Sequence, residues 1–168
     1  MELKSKLFPI LRELNILKSL KNPFRGWGNM KIAIINGPNL NLLGKRETGI
    51  YGNESFDGYL EQLKNSYPEI AFSYFQSNIE GELINEIQAV GFSVDGIILN
   101  PGGYTHTSVA IGDAIAAVKS PLVEVHISNI FGREEFRKIS HVSAKAVGVI
   151  SGLGLKGYEL AVKYFLKN

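Results

Sequence analysis

The sequence contains no cysteine, which excludes a disulfide framework, a thiolate metal site and a cysteine nucleophile. It has three histidines, His106, His126 and His141, and none lies within short-range ligand spacing of another. That arrangement argues against a protein-built zinc centre. No run approaches the roughly 18 uninterrupted apolar residues that a membrane span requires. Walker motifs, internal repeats and low-complexity segments are absent too. A secretory signal needs an uncharged apolar core of about 7–15 residues, and Arg12, Glu13 and Lys18 interrupt any such core. These absences fit a protein of the reducing cytoplasm.

What is present is ordinary for one globular domain: 168 residues, 45% hydrophobic and 20% charged,. The net charge of +2 conceals an asymmetry. Residues 1–29 carry six basic side chains (Lys4, Lys6, Arg12, Lys18, Lys21, Arg25) against Glu2 and Glu13, whereas the remainder holds more acids than bases. The body is mildly acidic, so the charge gives no argument for nucleic-acid binding. Within 1–29, Leu3, Leu7, Ile10, Leu14 and Leu17 form a helical stripe, and a helix starting near Pro9 and ending before Asn22-Pro23 is expected. Phe24 to Asn29 reads as a linker. Residues 1–29 are therefore expected to lie outside a single catalytic domain spanning 30–168.

From Lys31 onward, strand and helix patterns alternate. Ile32–Ile35, Ala71–Phe75, Gly96–Leu99, Leu122–His126 and Gly148–Ile150 read as strands. Between them, Ser55 caps a helix burying Phe56, Leu60 and Leu63, and Leu83, Ile84, Ile87 and Val90 form a second helical face. A third helix is expected to turn Val109, Ile115 and Val118 inward, and Tyr158–Leu166 closes the chain as a helix. The pattern predicts an α/β fold, a flavodoxin-like doubly wound parallel sheet of order 2-1-3-4-5 with helices on both faces.

Ligands of such sheets bind beyond the carboxyl ends of the strands, at the switch point. Strand 1 runs into Asn36-Gly37-Pro38-Asn39, strand 3 into Asn100-Pro101-Gly102-Gly103, and strand 4 into His126-Ile127-Ser128-Asn129. Asn39 and Asn100 should face one crevice, offering donors and acceptors to a hydroxylated ligand or an oxyanion; the same residues are also plain turn formers. Glu124 shares an alternation face with His126 and can fix the imidazole tautomer. His106 lies before a helix N-terminus that can hold an anion, and His141 reads as a surface loop residue. Arg46 and Tyr51 sit in a long glycine-punctuated loop, and a guanidinium beside a phenol favours the phenolate. Gly152-Leu-Gly-Leu-Lys-Gly157 matches a dinucleotide fingerprint. Too little chain follows to supply the acidic ribose partner about 20 residues on, so these glycines read as turn and close-packing residues.

Residues 31–168 resemble the type II 3-dehydroquinate dehydratases. The resemblance rests on Asn36–Gly44, Arg46-Glu47 with Tyr51-Gly52, Leu99–Gly103, Thr105–Val109, Glu124–Asn129 and Arg133–Arg137, in the family's order. It implies reversible dehydration of 3-dehydroquinate through an enolate in the shikimate pathway, with no metal or cofactor. It also implies a homo-oligomer of twelve chains built from trimers. Position by position, Tyr51 resembles the base, Arg46 the cation favouring its ionised form, and Asn39 the residue stabilising the enolate through an ordered water. His126 resembles the acid, and Glu124 its supporting carboxylate. Asn100, His106, Asp113, Ile127, Ser128 and Arg137 match substrate contacts, with Arg133 the second arginine of its motif. Two departures stand out. Gly112 replaces an arginine common in relatives, and residues 1–29 have no counterpart. Two other readings of the residues remain: a non-catalytic flavodoxin-like module binding flavin or an acidic partner, which predicts isoalloxazine absorbance and no turnover, and a lysine Schiff-base dehydratase, which predicts trapping by borohydride.

Overall fold

The computed structural model describes residues 30–44 and 55–167. The expected N-terminal helix and linker, together with Arg46 and Tyr51, lie outside the described residues. Five strands, β1 (Lys31–Asn36), β2 (Ala71–Gln76), β3 (Gly96–Asn100), β4 (Leu122–His126) and β5 (Gly148–Ser151), form one parallel sheet of order β2-β1-β3-β4-β5. This is the predicted order. Its β-branched central strands are buried along nearly their whole length, as parallel strands covered on both faces must be.

Period-two alternation splits those strands between two cores. Ile32, Ile34, Ile98, Val123 and Val125 face one layer, made by α1 (Phe56–Ser66) and α4 (Lys156–Phe165). Ala33, Ile35, Ile97, Leu99 and Leu122 face the other, made by α2 (Glu80–Val90) and α3 (Val109–Ala116). Ser55 caps α1 as expected, its hydroxyl accepting from the Gly58 N–H at 3.2 Å. Fully burying one such aliphatic side chain is worth about 1.5–3 kcal/mol, so the two layers carry most of the favourable free energy.

The reading of α3 needs correction. Val109 is 57% exposed, and the residues turned inward are Ile111, Ala114 and Ile115. The Ser108 hydroxyl accepts from the Ile111 N–H at 2.9 Å, so the helix starts at Val109, and that phase sends its first side chain outward. Val118 lies past the end of α3 and packs half-buried against the core.

At the switch point, β1 and β3 end in register, Asn36 opposite Asn100. The Gly37 N–H donates to the Asn100 carbonyl at 2.7 Å. A Cβ on Gly37 would lie 2.6 Å from the Pro101 carbonyl oxygen, so glycine permits this close approach. The Gly152–Gly157 run behaves as turn and packing residues: Gly152 and Gly154 take positive φ, and Gly157 opens α4 tight against Val125.

Candidate active site

A cleft of about 240 Å³ opens beyond the carboxyl ends of β1, β3 and β4. It is lined by Asn39, Asn100, His126, Ile127, Ser128, Arg133 and Arg137, with Leu40, Leu43 and Ile130 among its apolar walls. The structure thus brings together most of the residues singled out from the sequence. His106 stands just behind, its ring parallel to that of His126 with centroids 6.4 Å apart. Asp113 is exposed on α3 and does not line the cleft of its own chain. His141 is an exposed loop residue, as expected.

The floor of the site is a buried carboxylate. Glu124 has no exposed surface, and one oxygen accepts from His126 Nε2 at 2.7 Å and from the Thr105 hydroxyl at 2.5 Å. The other accepts from the Ser143 hydroxyl. Burial pushes the Glu124 carboxyl up, but the hydrogen bond and charge of His126 and the bonds from Ser143 and Thr105 outweigh it, so it titrates below the ordinary carboxylate range,. An ionised carboxylate is acceptor-only, so His126 presents Nε2–H to it and keeps Nδ1 for other chemistry. Thr105 spends its proton on Glu124, so the hydroxyl of Ser140, 2.7 Å away, donates to Thr105. Ser140 in turn accepts from the backbone N–H groups of Val142 and Ser143.

Around this floor the other groups are held by specific contacts. His106 Nδ1 lies 2.7 Å from the Ile139 carbonyl and donates to it, leaving Nε2 as acceptor in the neutral ring. Phe136 sits edge-on to His106, and the Arg137 guanidinium lies 5.0 Å from the Phe136 ring centre. Arg137 Nε donates to Glu134 at 2.7 Å, so the far edge of the guanidinium is available to a carboxylate. Asn39 is the one non-glycine residue with positive φ among those described, at 68°. Its N–H donates to the Asn78 side chain at 2.9 Å. A left-handed asparagine on a ligand-facing turn is a conformation that surrounding structure must hold in place.

The sequence profile of the family described as Dehydroquinase class II matches residues 30–166. The chain belongs to that family. Over 144 residues it is 57% identical to the 3-dehydroquinate dehydratase of Fusobacterium nucleatum, covering 82% of this chain and 97% of that one. The 3-dehydroquinate dehydratase of Caldicellulosiruptor saccharolyticus is 54% identical over 141 residues, with the same two shares covered. The crystal structure of type II dehydroquinase from Butyrivibrio crossotus matches with a TM-score of 0.76 at 50% identity, over 82% of this chain and 97% of that one.

As a class II dehydroquinase the chain is a lyase, and several parts of its site carry no signal in sequence. Thr105 and Ser143 reach Glu124 from two separate turns, with Ser140 bonded to Thr105, and hydroxyls in loops show no periodicity. Asn78 is a loop amide with no pattern of its own, and Tyr158, whose hydroxyl accepts from Asn100 Nδ2 at 3.0 Å, reads in sequence as a core aromatic at the start of an amphipathic helix. Gly112 gains a structural role. A Cβ there would lie 2.6 Å from the His141 carbonyl oxygen, so this dehydroquinase uses glycine to seat the 140–143 turn against α3.

Proposed function

We propose that the chain dehydrates 3-dehydroquinate to 3-dehydroshikimate, reversibly and through an enolate, as a step of the shikimate pathway. The observation that carries the reading is the buried Glu124–His126 pair at the floor of a cleft that also presents Asn39, Asn100 and Arg137. A proton α to a carbonyl is too weakly acidic for water to remove, so the site needs a base near neutral pH and a partner for the enolate oxygen. Tyr51, as phenolate favoured by Arg46, takes the C2 proton. Asn39, through an ordered water, stabilises the charge that develops on the carbonyl oxygen. His126 then gives the proton on Nδ1 to the C1 hydroxyl, which leaves as water while the enolate collapses to the conjugated enone. Glu124 orients the ring and stabilises its charged form before that transfer.

Arg137 takes the substrate carboxylate on its free edge, while Asn100, His106, Ile127 and Ser128 hold the ring hydroxyls. Asp113, which does not line the cleft of its own chain, serves the cleft of a neighbouring chain in a trimer, and four trimers assemble into a dodecamer in the cytoplasm. No metal or cofactor takes part. The test is to add 3-dehydroquinate to the purified protein and follow the ultraviolet absorbance of the enone, with and without EDTA. Turnover unaffected by EDTA is expected; absence of product, or loss on chelation restored by a divalent ion, would overturn the reading. Borohydride with substrate should leave activity intact, and a ligand adduct on a lysine would contradict the enolate route.

A further inference from the structure

We propose that Tyr158 is a positioning residue of the cleft, its hydroxyl fixing the side-chain amide of Asn100 so that one defined N–H and one defined lone pair meet the ligand. The proposal rests on Asn100 touching the substrate, and it concerns what gives Asn100 its orientation.

The argument starts from the valence of a phenol, which has one proton to donate. The Tyr158 hydroxyl lies 2.7 Å from Asn36 Oδ1 and donates to it. It can therefore only accept from Asn100, whose Nδ2 lies 3.0 Å away. The opposite end of the same amide is fixed independently, because Asn100 Oδ1 accepts from the Gly102 N–H at 3.2 Å, a bond that an amide nitrogen could not make. Two different neighbours thus agree on one amide orientation. Among the described residues Nδ2 keeps one free proton, and Oδ1 one free lone pair,.

Tyr158 is well placed to impose this. It has no exposed surface, and its ring is wedged edge-on against Phe56 at 5.0 Å and tilted against Tyr59 at 6.2 Å. Burial pushes its phenol far up, so the donated proton stays in place across the working pH range. The two asparagines it joins end β1 and β3 in register, which makes the hydroxyl a bolt across the switch point. Phenylalanine would fill the same volume and pack against the same rings. The oxygen is needed only for the two amides.

The test is a double-mutant cycle between Tyr158→Phe and Asn100→Ala, with kcat and KM measured on 3-dehydroquinate and unfolding midpoints measured alongside. Tyr158→Phe should lower kcat/KM about tenfold, mainly through KM, because a misoriented amide weakens ground-state and transition-state binding alike. In the Asn100→Ala background the same substitution should change kcat/KM less than about twofold, while its effect on the unfolding midpoint persists. Equal losses in both backgrounds, or no loss in the native background, would overturn the proposal and leave Tyr158 a core aromatic. If Asn100→Ala alone keeps full kcat/KM, the substrate contact of Asn100 fails and the proposal falls with it, whereas the activity of the unaltered enzyme stands apart from both. Should Tyr158→Phe fail to fold, 3-fluorotyrosine at 158 keeps the ring and the hydroxyl but weakens the oxygen as an acceptor. A fall of a few-fold that Asn100→Ala abolishes supports the proposal, and an unchanged kcat/KM refutes it.

Discussion

At the scale of single residues, the site is a set of groups whose protons are already allocated before a ligand arrives. Glu124 takes bonds from His126, Thr105 and Ser143, so its charge is held and its folded-state titration lies below the ordinary range. A carboxylate depressed in this way adds stability that is complete above the unfolded value of about 4.3 and is lost as pH falls through the lower folded value. Glu124→Gln should therefore lower the urea midpoint at pH 7, and the gap to the unaltered protein should close below about pH 4; a constant gap would contradict the assignment. The chemistry has its own residue-scale test. Tyr51→Phe removes only an oxygen, so turnover should fall by at least the roughly 10²–10⁴-fold of a lost general base with folding unchanged. Arg46→Ala should also reduce turnover, and the pair together should cost far less than the product, because in the proposed mechanism both act through one ionisation. His126→Ala should stop dehydration yet allow exchange of the C2 proton with solvent, measured by deuterium incorporation.

At the scale of elements, the sheet order and both helical layers were legible because periodicity reports burial. Strands of Ile, Val and Leu covered on both faces have few alternatives, and their polar ends announced the cleft through Asn39, Asn100 and His126. Val109 faces outward because six residues separate it from Ile115, about 120° around a helix, whereas Ile111, four residues before Ile115, shares the inward face. From Asn129 to Ala146 periodicity gave no elements; Arg133 and Arg137 were legible only through the family resemblance, and His141 as a surface residue. The stretch is a chain of short 3₁₀ turns, Ile130–Gly132, Glu135–Lys138 and Ser143–Lys145, each fixed by local polar contacts. Yet this stretch supplies Arg133 and Arg137 to the cleft and Ser140 and Ser143 to the network around Glu124. Its seat on α3 depends on Gly112. Gly112→Ala would drive a methyl against the His141 carbonyl, which the turn can relieve only by moving. The expected outcome is a loss of about 1–3 kcal/mol in urea unfolding, with a fall in turnover as Ser143 leaves Glu124. Retention of both would show that the turn shifts without disturbing the carboxylate.

At the scale of the molecule, the catalytic unit is expected to begin where the family profile begins, at residue 30. A protein starting at Met30 should keep its turnover and its assembly, compared by steady-state kinetics and light scattering; loss of activity with the fold intact would place residues 1–29 in the working enzyme. Twelve chains of 18.5 kDa in a closed assembly correspond to about 220 kDa. A fully active monomer in light scattering would contradict the dodecamer. Asp113 is exposed and does not line the cleft of its own chain, which gives the proposed assembly a test. On the proposed trimer, dilution that separates the chains should raise KM before the chain unfolds, read by kinetics and circular dichroism across a dilution series; an unchanged KM would contradict a shared site.

The carboxylate behind His126 also decides where a reagent can strike. With Nε2–H turned to Glu124, only Nδ1 of the neutral ring has a lone pair to share, so acylation or alkylation of the native enzyme must occur at Nδ1. An electrophile borne on a substrate-like ring would then be captured with a single regiochemistry, readable by fragment mass spectrometry together with ¹⁵N shifts. Loss of that regiochemistry would be an early sign that the carboxylate had let go, visible while the sheet is still intact.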